Sequence, residues 1–186
     1  PSALDVDFSN LSTDYVWASN NFFKNEKFFD VKLDALAVTP YMDLLNNKEL
    51  ITFLKKSVDT KIFFETERGD YEKDWDSMND FMIQHPDRSY LYGTRYRSKI
   101  GITPRQICLA IFLGFKDIYV VGFDGVGKAE NRHAFEHNKD LPNWFLKKRN
   151  EPEEVIQFIQ FWNYIFLLKN YKDSKYNFNL YNLAED

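Results

Sequence analysis

Apolar residues in this chain fall in short runs, and polar stretches of helical spacing separate them. "DYVWAS" (Asp14 to Ser19), "LDALAVT" (Leu33 to Thr39) and "KIFFET" (Lys61 to Thr66) have strand length and strand composition. Pro40 closes the second run, because proline cannot donate to a central ladder. Between the second and third, "MDLLNNKELITFLKK" (Met42 to Lys56) sets Leu45, Phe53 and Leu54 at helical spacing. The next stretch, 67–89, is polar and is read as a loop holding a short helix capped by Asp76.

The second half is better punctuated. In "TPRQICLAIFLGF", Thr103 is placed to cap a helix and Pro104 suits its first turn. Ile107, Leu109, Ala110, Ile111 and Leu113 predict that this helix is mostly buried, and Gly114 fits a left-handed stop. Asp117 to Asp124 reads as an apolar strand buried on both faces, the pattern of a parallel sheet covered by helices. A long helix is predicted from near Asn150, with Val155, Phe158, Ile159, Trp162 and Phe166 along one face. "YNFNLYNL" (Tyr176 to Leu183) is the last strand.

Strands alternating with helices predict an α/β fold: a doubly wound, mostly parallel Rossmann-like sheet with helices on both faces. A small lid or subdomain is expected over about 67–100 and 125–150. The 186 residues fit one domain. Ligands of such sheets bind beyond the carboxyl ends of the strands. Asn20, Thr39 and the loop from Asp124 to His137 lie at such ends.

Composition narrows the function. The hydrophobic content of 44% supports a real core, and the net charge of −4 argues against a nucleic-acid binder. Cys108 is the single cysteine, so no intrachain disulfide forms. With no apolar run of membrane-spanning length, the reading is a cytoplasmic protein open to peripheral attachment at the inner membrane face. "PSALDVDFSNL" lacks an initiator Met, and flanking sequence is expected to be missing at both ends.

"GFDGVGKA" invites comparison with a phosphate loop. The pattern needs a Ser or Thr after the lysine to hold Mg²⁺, and here Ala129 follows Lys128. The text that follows also lacks an apolar helical face. The turn is therefore read as the end of a central strand beside a nucleotide site. The Asp5-Val6-Asp7 and Asp74-Trp75-Asp76 triplets are read as turn and cap residues rather than metal ligands, since a hard cation needs converging oxygens. His85 precedes a proline in a turn. His133 and His137 sit four apart after the key strand, where an imidazole can work as acid, base or phosphate partner, or simply be solvated.

The run "GITPRQICLAIFLGFKDIYVVGFDG" resembles the core signature of the bacterial sialyltransferases that extend lipooligosaccharide. It is also similar to the wider MptE-like, Maf-related Rossmann-type domains. The residues that carry the likeness are Thr103, Gly114, Phe115, Lys116, Asp117, Ile118, Tyr119, Gly122 and Asp124. Pro1-Ser2 looks like the tail of the family's glycine turn, whose strand and glycines lie outside this chain. The resemblance implies a CMP-sugar donor, a glycan or glycolipid acceptor, and inverting transfer without a metal or other cofactor. It places Ser2, Asn20, Thr39, Thr103 and the backbone of Gly122, Phe123 and Asp124 against the nucleotide. His133 falls where the family carries a phosphate-binding Tyr, and Lys99 lies near a family Arg. The family's base His has no counterpart between Asn138 and Asn150, which leaves His133, His137 or Asp124 for that role.

Three functions follow. The first is a glycosyltransferase of a bacterial surface glycan. The second is an MptE-like pterin diphosphokinase using ATP and Mg²⁺. The third is a non-catalytic nucleotide-binding or assembly domain. A homo-oligomer is compatible with all three.

Overall fold

The computed structural model describes residues 6–8, 12–24, 31–39, 47–66, 72–94, 96, 101–123 and 151–183. The chain forms two compact units, one of Asp7–Arg95 and one of Pro1–Val6 with Tyr96–Asp186.

The first unit holds a four-stranded sheet in the order β1-β2-β3-β4, every pair parallel: β1 Trp17–Ser19, β2 Ala35–Val38, β3 Lys61–Glu65 and β4 Ser89–Tyr92. Helices α1 (Lys48–Lys56) and α2 (Glu72–Gln84) are the crossovers. Strand order that steps one way with right-handed crossovers puts both helices on one face. The core agrees. Leu36, Val38, Ile62 and Phe64 alternate onto that face and meet Leu50, Phe53 and Leu54 of α1 and Met78 and Phe81 of α2. Asn47 caps α1, its side chain accepting from the Leu50 N–H at 3.0 Å. The predicted helix therefore begins later than Met42. Asp76 is no cap: it is an exposed position inside α2, which runs 13 residues. His85 follows α2, its ring 4.6 Å from that of Phe81.

β4 was not anticipated, and one arginine ties it in. Arg88 Nε, Nη1 and Nη2 donate to the carbonyls of Thr60 (3.0 Å), Leu54 (3.3 Å) and Ser57 (2.8 Å). These are carbonyls at and just beyond the end of α1, where the helix presents unsatisfied acceptors and partial negative charge. Burial lowers the Arg88 pKa, and the charge of Asp59 opposes that.

The second unit pairs β5 (Asp117–Val120) with β6 (Asn179–Asn182), again parallel. Helix α3 (Thr103–Phe112) precedes β5, and helix α4 (Glu151–Asn170) precedes β6. Ile118, Val120 and Leu180 join a cluster with Ile107, Cys108 and Ile111 of α3 and Phe161 and Ile165 of α4. Gly114, at φ +89°, ends α3: the Phe115 N–H reaches the Ala110 carbonyl and the Gly114 N–H that of Ile111, the paired bonds of a Schellman stop. Two details differ from expectation. Leu113 is exposed, while Arg105 and Gln106 are buried. β5 is buried on one face only. Tyr119 is 51% exposed and stacks on Tyr181 at 4.8 Å on the other.

Both units are α/β with parallel strands, the Rossmann-like architecture the sequence predicts. None of the described helices is long and apolar enough to cross a membrane.

Candidate functional site

In the first unit, polar side chains collect at the carboxyl ends of the strands. Asn20 lies just past β1 at φ +48°. Among the described residues it is the one non-glycine in that region, and asparagine tolerates it best of the side-chain-bearing residues. Its N–H donates to the Ala37 carbonyl at 2.8 Å. Its Oδ1 accepts from the Thr39 N–H at 3.2 Å and from the Thr39 hydroxyl at 3.3 Å. A backbone N–H can only donate, so the atom facing it must be the amide oxygen. The clasp therefore fixes which way the amide points. Oδ1 is committed to Thr39, and the NH₂ is the end left for another acceptor. Thr39 is 1% exposed and ends β2.

The same edge continues through β3 and β4. Glu65 pairs with Tyr92, and Thr39 stands one residue past the row of Val38 with Phe64. Alternation puts Thr39, Glu65 and Tyr92 on the face of Phe63, opposite α1 and α2. All three are buried, as is Thr94 two residues beyond Tyr92. The Thr66 N–H and hydroxyl both donate to the Tyr92 carbonyl, at 3.0 and 3.1 Å, and hold the ends of β3 and β4 together. Sequence reading missed Glu65, Tyr92 and Thr94. The available signal was a carboxylate set directly on the apolar run "KIFF", where a buried strand usually ends in something neutral.

In the second unit, Thr103 is the first residue of α3, not its cap. Ile102 holds the cap position, with no side-chain hydrogen bond to the helix. Gly101, at φ +111°, turns the chain into the helix, and Pro104 sits in the first turn as expected. The N–H groups there face outward with the positive end of the helix dipole. Gly122 is in the left-handed region at φ +71°, just past β5. Phe123 turns its ring into the core, 4.8 Å from Phe158 and 5.5 Å from Phe161. Its carbonyl accepts from Asn182 Nδ2 at 3.4 Å. Any ligand contact at Phe123 is thus a main-chain contact. Ser2, Lys99, Asp124, His133 and His137 lie outside the described residues.

Known proteins decide the family. The model of the CST-I alpha-2,3-sialyltransferase family matches residues 41–186. The chain belongs to that family. It is accordingly a glycosyltransferase, an enzyme that takes a nucleotide-sugar donor and a glycan acceptor. No curated protein and no solved structure matches it. The match begins after Thr39, so it does not reach Asn20 or Thr39.

Proposed function

We propose that this enzyme transfers sialic acid from CMP-sialic acid to a hydroxyl of a bacterial surface glycan, with inversion and without a metal ion. The Asn20–Thr39 clasp carries the reading. It sits where the ligands of parallel α/β sheets bind, it is fixed by two hydrogen bonds, and it leaves an amide NH₂ as a donor for an acceptor such as a nucleotide oxygen. Family membership supplies the reaction class.

The chemistry is one displacement. The acceptor oxygen attacks the anomeric carbon and gives its proton to a base, drawn from His133, His137 and Asp124. The bond from that carbon to the phosphate oxygen breaks, and CMP leaves with the electron pair. Positive charge builds on the sugar and negative charge on the phosphate. Lys99, His133 and the N-terminus of α3 at Thr103 offset the second. The family resemblance adds Thr39, the main chain from Gly122 to Asp124 and Ser2 to the nucleotide contacts.

The test is melting temperature with CMP, CDP, UDP, GDP and ATP, each with Mg²⁺ and with EDTA, followed by transfer from CMP-sialic acid in EDTA. A rise with CMP in EDTA, and product of inverted configuration, are expected. A rise only with ATP and Mg²⁺ overturns the reading in favour of a phosphoryl-transfer site. Transfer by His133→Ala at the wild-type rate removes His133 from the chemistry.

A further inference from the structure

Alternation along β6 puts a polar side chain where the core face asks for an apolar one. Leu180 packs on the core of the second unit, on the face it shares with Ile118 and Val120 of β5. The next β6 position on that face is Asn182, which ends the strand and pairs with Val120. A leucine there would extend the core. An amide does not, and Asn182 is exposed.

The amide reaches across to the end of β5. Its Nδ2 donates to the Phe123 carbonyl at 3.4 Å. One residue on, the Leu183 N–H donates to the Val120 carbonyl at 2.8 Å. The two bonds bracket Val121, Gly122 and Phe123. Gly122 is the middle of that turn, at φ +71°. Glycine adopts this conformation without strain, but it adopts many others as readily, so its own chemistry does not hold it there. The turn is held from outside. The β6 main chain holds its start, and the Asn182 amide holds its end together with the Phe123 ring, which packs on Phe158, Phe161 and Trp162. The ring fixes where Phe123 sits. It does not fix the direction of the Phe123 carbonyl, which turns with the soft dihedral ψ.

We propose that Asn182 is a positioning residue for the nucleotide donor. By holding the Phe123 carbonyl toward β6, it keeps the main chain of the Gly122 turn in one arrangement before the nucleotide arrives. The inference rests on the nucleotide contacts proposed for this turn. A turn ordered in advance binds more tightly, because its ordering is not left to the moment of binding. The effect is on affinity. Main-chain contacts to the nucleotide are made in the ground state and the transition state alike, so KM changes and kcat does not. The bond is long and joins neutral groups, so its loss weakens binding without abolishing it. A purely structural role gives a different pattern: lower stability without nucleotide, and no effect on binding beyond that. Leucine at position 182 separates the two, since it removes the donor and continues the apolar face of Leu180.

The test compares wild type, Asn182→Leu and Asn182→Gln, each as the full chain. Isothermal titration with CMP in EDTA, KM and kcat for CMP-sialic acid, and urea unfolding without nucleotide are measured on each. Asn182→Leu should bind CMP about three- to tenfold more weakly, the worth of one neutral hydrogen bond, with KM raised to match and kcat unchanged. Its urea midpoint should equal or exceed that of wild type. Asn182→Gln keeps the NH₂ on a longer arm and should bind CMP more nearly as wild type does than as the leucine variant does. Equal CMP affinity in wild type and Asn182→Leu overturns the proposal and leaves the nucleotide reading intact. So does a urea midpoint that falls in step with CMP affinity, or a loss of kcat at unchanged KM. Wild type that does not bind CMP overturns the nucleotide reading and this inference with it. That result is read on wild type alone, so the two failures are told apart.

Discussion

Asn20 holds Thr39 with its oxygen, the proposed function gives its nitrogen to the nucleotide, and three substitutions separate the two. Asn20→Ala puts a residue without local hydrogen bonding at φ +48°, which costs ~1–2 kcal/mol. It also removes the acceptor of the Thr39 N–H, a group on a residue 1% exposed. An orphaned buried donor costs a further ~1–3 kcal/mol. The expected loss is ~2–5 kcal/mol, read as a lower urea midpoint at unchanged slope. Asn20→Gly removes the backbone strain and keeps the orphan, so its loss is the ~1–3 kcal/mol part alone. Asn20→Asp keeps an oxygen for Thr39 and replaces the NH₂ with a second acceptor. Its stability should stay within ~1 kcal/mol of wild type, the size of one ordinary hydrogen bond. Its affinity for CMP should fall at least tenfold, about 1.4 kcal/mol, since a donor to the nucleotide becomes a negative charge facing it. Isothermal titration with CMP in EDTA, beside urea unfolding of all three variants, reads both effects. Full CMP affinity in Asn20→Asp would refute the reasoning: the amide nitrogen would then face no ligand. Equal stability of Asn20→Ala and Asn20→Gly would refute the strain half of it.

Three further outcomes follow from the packing. Arg88→Lys replaces a three-pronged donor with a point charge and should cost ~1–3 kcal/mol in urea unfolding, because most of the Thr60, Leu54 and Ser57 carbonyl contacts are lost. Gly114→Ala should cost ~1–2 kcal/mol from backbone alone, since a Cβ there meets nothing within 4 Å, and Gly114→Asn should cost less. Cys108 is fully buried, so its thiol should resist a maleimide or disulfide reagent in the native protein and react at once in urea; fast native labelling would show that the α3 packing opens.

Much of the architecture is written locally. The runs at 14–19, 33–39 and 61–66 each hold a strand, Trp17–Ser19, Ala35–Val38 and Lys61–Glu65, because their apolar residues suit a buried pleat. α3 starts at Thr103 and ends at Gly114 because Pro104 and glycine act through their own backbones. β4 escaped the reading: "SYLY" is four residues in a polar setting, and its place at the sheet edge rests on Arg88 reaching α1 some thirty residues earlier. α2 escaped in part, because Met78 and Phe81 are few apolar residues among many charges until the sheet face they cover is known. Asn20 and Thr39 were legible as strand-end residues, and their partnership was not. It depends on β1 and β2 lying side by side in parallel, which brings together groups 19 residues apart. Glu65 and Tyr92 met through the register of β3 with β4 in the same way. Helix α4 is the sharpest case. Val155, Phe158, Ile159, Trp162 and Phe166 read as one face in sequence, and the packing splits them: Phe158 and Trp162 lie against the core with Phe161 and Ile165, while Val155, Ile159 and Phe166 stay exposed. Sequence by itself determined most of the elements, their order and the residue types at the strand ends it located, since these follow from short-range backbone and side-chain preferences. Which of those residues meet, and which apolar face stays exposed, was decided by tertiary structure, because both depend on contacts between segments far apart in the chain.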